Sequence, residues 1–188
     1  MNTPNKLTVL RMILAPVFLA VFLWEGLPFH YWWAVLVFSA AAITDAVDGK
    51  LARKNDQITV FGKLLDPVAD KMLTTAALLG FLQVGLCNIW IVMIVLTREF
   101  AVTSVRLIAS AEGVVIPANI WGKLKTVSQM TFTILIMVLA AVREMGALPS
   151  SFPLPLVANI LLWITAVLTV VSGVIYLMRS TKLITFTK

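Results

Sequence analysis

Three stretches of this chain, 26–44, 72–97 and 145–178, contain no Asp, Glu, Lys or Arg. Two shorter ones, 12–24 and 126–142, share that property. About 20 apolar residues cross the hydrocarbon core of a bilayer, so runs of this length dictate a membrane-embedded, all-α architecture. The 188 residues are 60% hydrophobic and only 13% charged, against about 25% charged in ordinary soluble domains. A domain of about 150 residues buries only about 70% of its unfolded surface. A core cannot absorb this excess, so a soluble fold is excluded, and so is a disordered chain.

The run 145–178 is too long for one helix, and Pro149, Ser150, Ser151, Pro153 and Pro155 mark a loop at its start. Within 72–97, Gly85 and Asn88 (with Gly80 before them) signal a tight turn near 85–89 with a helix on each side. The expectation is a single polytopic domain over 1–188 with six transmembrane helices, roughly 5–26, 31–53, 62–84, 89–110, 119–143 and 155–178. Charge supports six. Of the 15 Lys and Arg residues, all but Arg143 fall on the side that holds both termini and the second and fourth connections. By the positive-inside rule that side is cytoplasmic. A five-span arrangement would scatter these cations over both faces. Trp24-Glu25-Gly26-Leu27-Pro28 offers no small-residue cleavage site after the first apolar run. The net charge of +6 reads as a topology signal, with affinity for anionic bilayer lipids and none implied for nucleic acid.

One cysteine, Cys87, and one histidine, His30, exclude a disulfide and argue against a zinc or thiol–imidazole centre. Cys87 reads as an apolar filler at a helix end, and His30 as an interfacial residue beside Tyr31, Trp32 and Trp33.

The acidic residues are concentrated. Asp45, Asp48, Asp66 and Asp70 account for four of the nine, and they fall within residues 45–70. Spacings of three and four place each pair on one helix face. A short connection, about 54–61, makes the two helices antiparallel neighbours, so the four carboxylates converge near the cytoplasmic surface. Four ionised carboxylates together require neutralisation. All-oxygen donors select hard divalent cations such as Mg²⁺ or Mn²⁺, with Ca²⁺ compatible, and four suit a two-ion clamp for phosphoryl chemistry. The competing reading pairs them with Lys50, Arg53 and Lys71 as surface ion pairs. Gly49 and Gly62 leave room for a phosphate or for close helix packing, and Arg53, one turn after Gly49, suits diphosphate oxygens.

The fixed positions Asp45, Asp48, Gly49, Ala52, Arg53, Gly62, Asp66 and Asp70 spell D-x2-D-G-x2-A-R-x8-G-x3-D-x3-D. This resembles the signature of the CDP-alcohol phosphotransferases. The resemblance implies that family's six-helix membrane fold and the transfer of a phosphatidyl or related group from a CDP-linked donor to an alcohol. It implies two divalent ions on Asp45, Asp48, Asp66 and Asp70, with Asp70 also the general base, and a CDP site lined by Asp45, Asp48, Gly49, Arg53 and Gly62. It further implies a homodimer. Thr8 and Arg11 are candidates for contact with nucleotide or lipid phosphate.

The segments 4–11, 97–106 and 122–129 resemble family members that take sn-glycerol 3-phosphate as acceptor and CDP-diacylglycerol as donor. Such an acceptor is a dianion and needs fixed cations. Arg98, Arg106, Lys123 and Lys125 supply four; lying two apart, Lys123 and Lys125 do not share a helix face. Glu99 either orients Arg98 or simply pairs with it. The expected setting is a bacterial cell membrane, with the site on its cytoplasmic side. Rival readings keep the chemistry but change the acceptor to inositol phosphate, serine or phosphatidylglycerol. Others replace it with an aspartate-rich prenyltransferase or a divalent-cation transporter.

Overall fold

The computed structural model describes residues 3–54, 60–111, 113–114, 120–149 and 151–181, with 3–7, 45–54, 60–67 and 70 described as backbone only. The described residues form six helices and no strand: α1 (Thr3–Leu23), α2 (His30–Lys54), α3 (Val60–Gln83), α4 (Ile89–Ala111), α5 (Ile120–Glu144) and α6 (Leu154–Ser180). Each helix boundary lies within three residues of its expected position.

Local chemistry sets the ends. The turn expected near 85–89 closes α3 by two reversed bonds, Gly85 N to Leu82 O at 3.2 Å and Leu86 N to Phe81 O at 2.8 Å. Gly85 sits at φ +75, a left-handed conformation that costs glycine nothing. Three residues later the Asn88 side chain caps α4, its Oδ1 accepting from Trp90 N at 2.9 Å. Gly80, by contrast, lies inside α3, where an added Cβ would come within 2.9 Å of Phe22 Cδ1.

The six helices form two trios. In the first, α1 packs against both α2 and α3, which touch each other less. Among the described residues α2 and α3 touch each other directly, while α1 packs more extensively against both. The reason is aromatic. Phe18 and Phe22 of α1 are fully buried and meet Phe38 of α2 at 5.5 Å and Phe81 of α3 at 5.6 Å between ring centroids. Such contacts contribute about 0.5–1.5 kcal/mol each beyond their area. In the second trio α6 packs against α4 and α5. Contacts of α2 with α5 and of α3 with α4 join the trios. Buried alanines (Ala34, Ala41, Ala77, Ala140, Ala158) let the helices approach closely.

Apolar side chains cover the outside of the molecule as well as its interior, unlike a soluble protein. Large apolar side chains face outward on α4 (Trp90, Met93, Phe100) and α6 (Ile160, Val167, Val174), while Lys125, Gln129, Thr133, Thr169 and Ser172 are buried. Among the described residues, α5 and α6 are long and apolar enough to cross a membrane, and α1 and α2 contain the apolar helical stretches Thr8–Leu23 and His30–Thr44.

The end of the molecule remote from the aspartate motif is clasped by Glu144, the last residue of α5. Its carboxylate accepts from His30 N at 3.2 Å and Tyr31 N at 3.4 Å, the exposed amides of the first turn of α2. His30 is buried. Its Nδ1 lies 2.8 Å from Phe22 O, tying α2 to α1. Cys87 is a free, buried thiol, as expected of a filler.

Candidate active site

The motif residues fall on two helices. Asp45, Asp48, Gly49 and Arg53 lie on the last three turns of α2, and Gly62, Asp66 and Asp70 on the first three of α3. Their side chains lie outside the described residues, so the convergence expected of the four carboxylates rests on backbone position and spacing. The donor set itself, all carboxylate oxygen from two helices, suits hard divalent ions.

The next residue, Lys71, is described, and it leads to a buried charge cluster. Lys71 Nζ donates to Glu99 O at 3.1 Å and lies 3.8 Å from Glu99 Oε2. Arg98 Nη1 donates to Glu99 Oε1 at 3.1 Å. Lys125 Nζ donates to the same oxygen. One carboxylate on α4 thus gathers cations from α3, α4 and α5. Lys125 is only 3% exposed. An unpaired ammonium so buried would be prohibitively costly, and Glu99 is what makes its position tenable.

Arg98 extends the cluster to α6. Its Nη2 donates to Ser172 Oγ at 3.1 Å, and Ser172 Oγ in turn donates to Thr169 O at 3.0 Å. Gly173 makes room, since a Cβ there would stand 2.9 Å from Arg98 Cγ. Around this seam Arg98 Nε, Thr169 Oγ1 and Tyr176 Oη are buried without a hydrogen-bond partner among the described residues. Buried polar atoms are nearly always satisfied, so these suit a polar guest. Among the described residues, three cations meet one carboxylate, an excess of two positive charges that suits an anionic phosphate.

Other expected residues fall elsewhere. Arg106, about two turns beyond Arg98 on α4, is exposed and holds its guanidinium carbon 6.0 Å from the centre of the Tyr176 ring. Lys123 is exposed. Thr8 and Arg11 are both buried on α1. Sequence reading missed three participants: Lys71 as a member of the cluster, and Ser172 and Gly173 as the seat of Arg98. It also left open the role of Glu99, although a lone acid beside a cation in an apolar helix is a signal in itself.

The sequence matches the profile of the CDP-alcohol phosphatidyltransferase family over residues 1–171. The chain belongs to that family. This transferase is therefore a membrane enzyme, and members are generally dependent on divalent cations. It is 38% identical to the CDP-diacylglycerol–glycerol-3-phosphate 3-phosphatidyltransferase of Bacillus subtilis (strain 168), covering 92% of this chain and 91% of the relative. A probable phosphatidylglycerophosphate synthase of Mycobacterium tuberculosis (strain H37Rv) is also 38% identical, over 96% of this chain and 82% of its own. The CDP-diacylglycerol–glycerol-3-phosphate 3-phosphatidyltransferase of Rickettsia bellii is 35% identical to the transferase over 93% of each chain.

Proposed function

We propose that this protein transfers the phosphatidyl group of CDP-diacylglycerol to the 1-hydroxyl of sn-glycerol 3-phosphate, giving phosphatidylglycerophosphate and CMP. The names of its relatives support the reaction. The observation that carries the acceptor is the cluster of Lys71, Arg98 and Lys125 around Glu99, one residue along the chain from Asp70.

In this reading Asp70 takes the proton of the acceptor hydroxyl, a step typically worth about 10²–10⁴-fold. The freed oxygen bonds to the β-phosphorus of the donor while the bond to the CMP phosphate oxygen breaks. Two divalent ions, Mg²⁺ or Mn²⁺, held by Asp45, Asp48, Asp66 and Asp70, neutralise the diphosphate charge when bound. Gly49, Arg53 and Gly62 admit and grip the CDP moiety. Arg98 and Lys125, with Lys71, hold the acceptor phosphate; the exposed Arg106 and Lys123 attract it. All six helices cross the bilayer, with both termini and the aspartates on the cytoplasmic side. There the donor's acyl chains stay in lipid while its headgroup enters the polar interior. A second copy of the chain is the expected partner.

The test is an acceptor screen with purified protein, CDP-diacylglycerol and Mg²⁺ or Mn²⁺, read out by lipid product mass. A phosphatidylglycerophosphate mass with stoichiometric CMP supports the proposal. A product formed only with inositol phosphate, serine or phosphatidylglycerol replaces the acceptor. Metal flux without CMP release overturns the enzymatic reading.

A further inference from the structure

We propose that Glu99 is a positioning residue that sets acceptor selectivity: it fixes Lys71, Arg98 and Lys125 as a three-point cradle for a phosphomonoester and binds no substrate itself. This rests on the reaction proposed above. The carboxylate is fully committed. Oε1 accepts from both Arg98 and Lys125, Oε2 faces Lys71, and the Glu99 backbone carbonyl takes the Lys71 ammonium as well. The cations come from three different helices and repel one another. With the carboxylate between them they share one small volume; without it they separate, because nothing else described holds Lys125 in place.

Position along the chain gives Glu99 its reach. Lys71 follows Asp70, so the Glu99–Lys71 contacts also fix the turn of α3 that carries the proposed base against α4. On the opposite side, Arg98 carries the link to Ser172 of α6. The cradle is therefore held from four helices through one side chain and its neighbour. Phosphate recognition by a planar guanidinium and two ammoniums needs that fixed geometry more than it needs net charge.

Charge and geometry make opposite forecasts, which makes the idea testable. Glu99→Gln removes a negative charge. A cluster acting by charge alone would bind a dianion more tightly. A cradle that loses its fixing point binds it more weakly. In steady-state assays in detergent–lipid micelles, Glu99→Gln is expected to raise the KM for sn-glycerol 3-phosphate about tenfold while the KM for CDP-diacylglycerol stays put. The preference for sn-glycerol 3-phosphate over unphosphorylated glycerol, taken as a ratio of kcat/KM, should shrink by a similar factor. Glu99→Asp, which keeps the charge, should recover much of both. Ser172→Ala, which frees one end of Arg98 and leaves Glu99 in place, should move both readouts the same way by a smaller factor, and it decides the matter if Glu99→Gln does not fold. An unchanged or lower acceptor KM in Glu99→Gln overturns the proposal, as does an equal loss with sn-glycerol 3-phosphate and glycerol. A wild-type protein that makes no phosphatidylglycerophosphate refutes the underlying reaction instead, so the two failures are separable.

Discussion

Arg98 lies across α6 at Gly173, the one position on that turn where the helix offers no side chain to displace it. Because the close atom is Cγ, near the stem of the arginine, the clash created by a methyl group cannot be relieved by moving the guanidinium alone. Gly173→Ala should therefore break the Arg98–Ser172 hydrogen bond and lower kcat/KM for the acceptor about tenfold, a loss of about 1.4 kcal/mol in transition-state binding. Enzyme kinetics with a thermal-unfolding control checks this.

Lys123 and Lys125 differ in charge environment, though not in charge. Lys125 is buried against Glu99, whereas Lys123 is exposed. Lys125→Gln should raise the acceptor KM by about tenfold or more, since it strips a partner from a buried carboxylate. Lys123→Gln should change it by no more than about twofold, as expected for a solvent-screened cation. Equal effects would show that the burial of Lys125 is irrelevant to acceptor binding.

Asp70→Asn keeps the shape of the side chain and removes its basicity. Turnover should fall by about 10²-fold or more, with the thermal midpoint in detergent within a few degrees of wild type. Chelation with excess EDTA should also stop turnover, and readdition of Mg²⁺ or Mn²⁺ should restore it. Activity that survives chelation would remove the divalent ions from the reaction.

Glu144 caps the first turn of α2 far from the aspartates along the same helix. Glu144→Ala should destabilise the protein by about 1 kcal/mol, the usual cost of losing a cap, and leave the acceptor KM alone. A shift in the acceptor KM would show that the two ends of α2 are coupled.

Burial pushes the Cys87 thiol up to about 12. Only the thiolate reacts readily, so at neutral pH a maleimide should label the folded protein very slowly. Labelling should become fast on unfolding, which makes Cys87 a built-in reporter for the stability comparisons above. Prompt labelling of the folded state would mean that the turn between α3 and α4 opens.

The helices and turns were legible because their signals are local. Gly85 ends α3 and Asn88 starts α4 through bonds spanning a few residues. The aspartate motif was legible because its spacing is helical. The packing of α1 against both α2 and α3 was not, since it depends on how Phe18 and Phe22 interlock with rings on two other helices. The spacing of Lys123 and Lys125 showed that they diverge, but which one turns inward depends on Glu99, 26 residues earlier. Gly173 gave no signal because its role is the absence of a side chain beside an arginine 75 positions away in the chain.

The resting place of Arg98 belongs to α6, so that guanidinium is seated only once α6 has been made. A ribosome that stalls before α6 releases a fragment with all four aspartates but no berth for that guanidinium. Under the proposed reaction such a product keeps the aspartates and loses the seat of one acceptor-binding cation, so premature termination should yield an idle protein rather than a careless one.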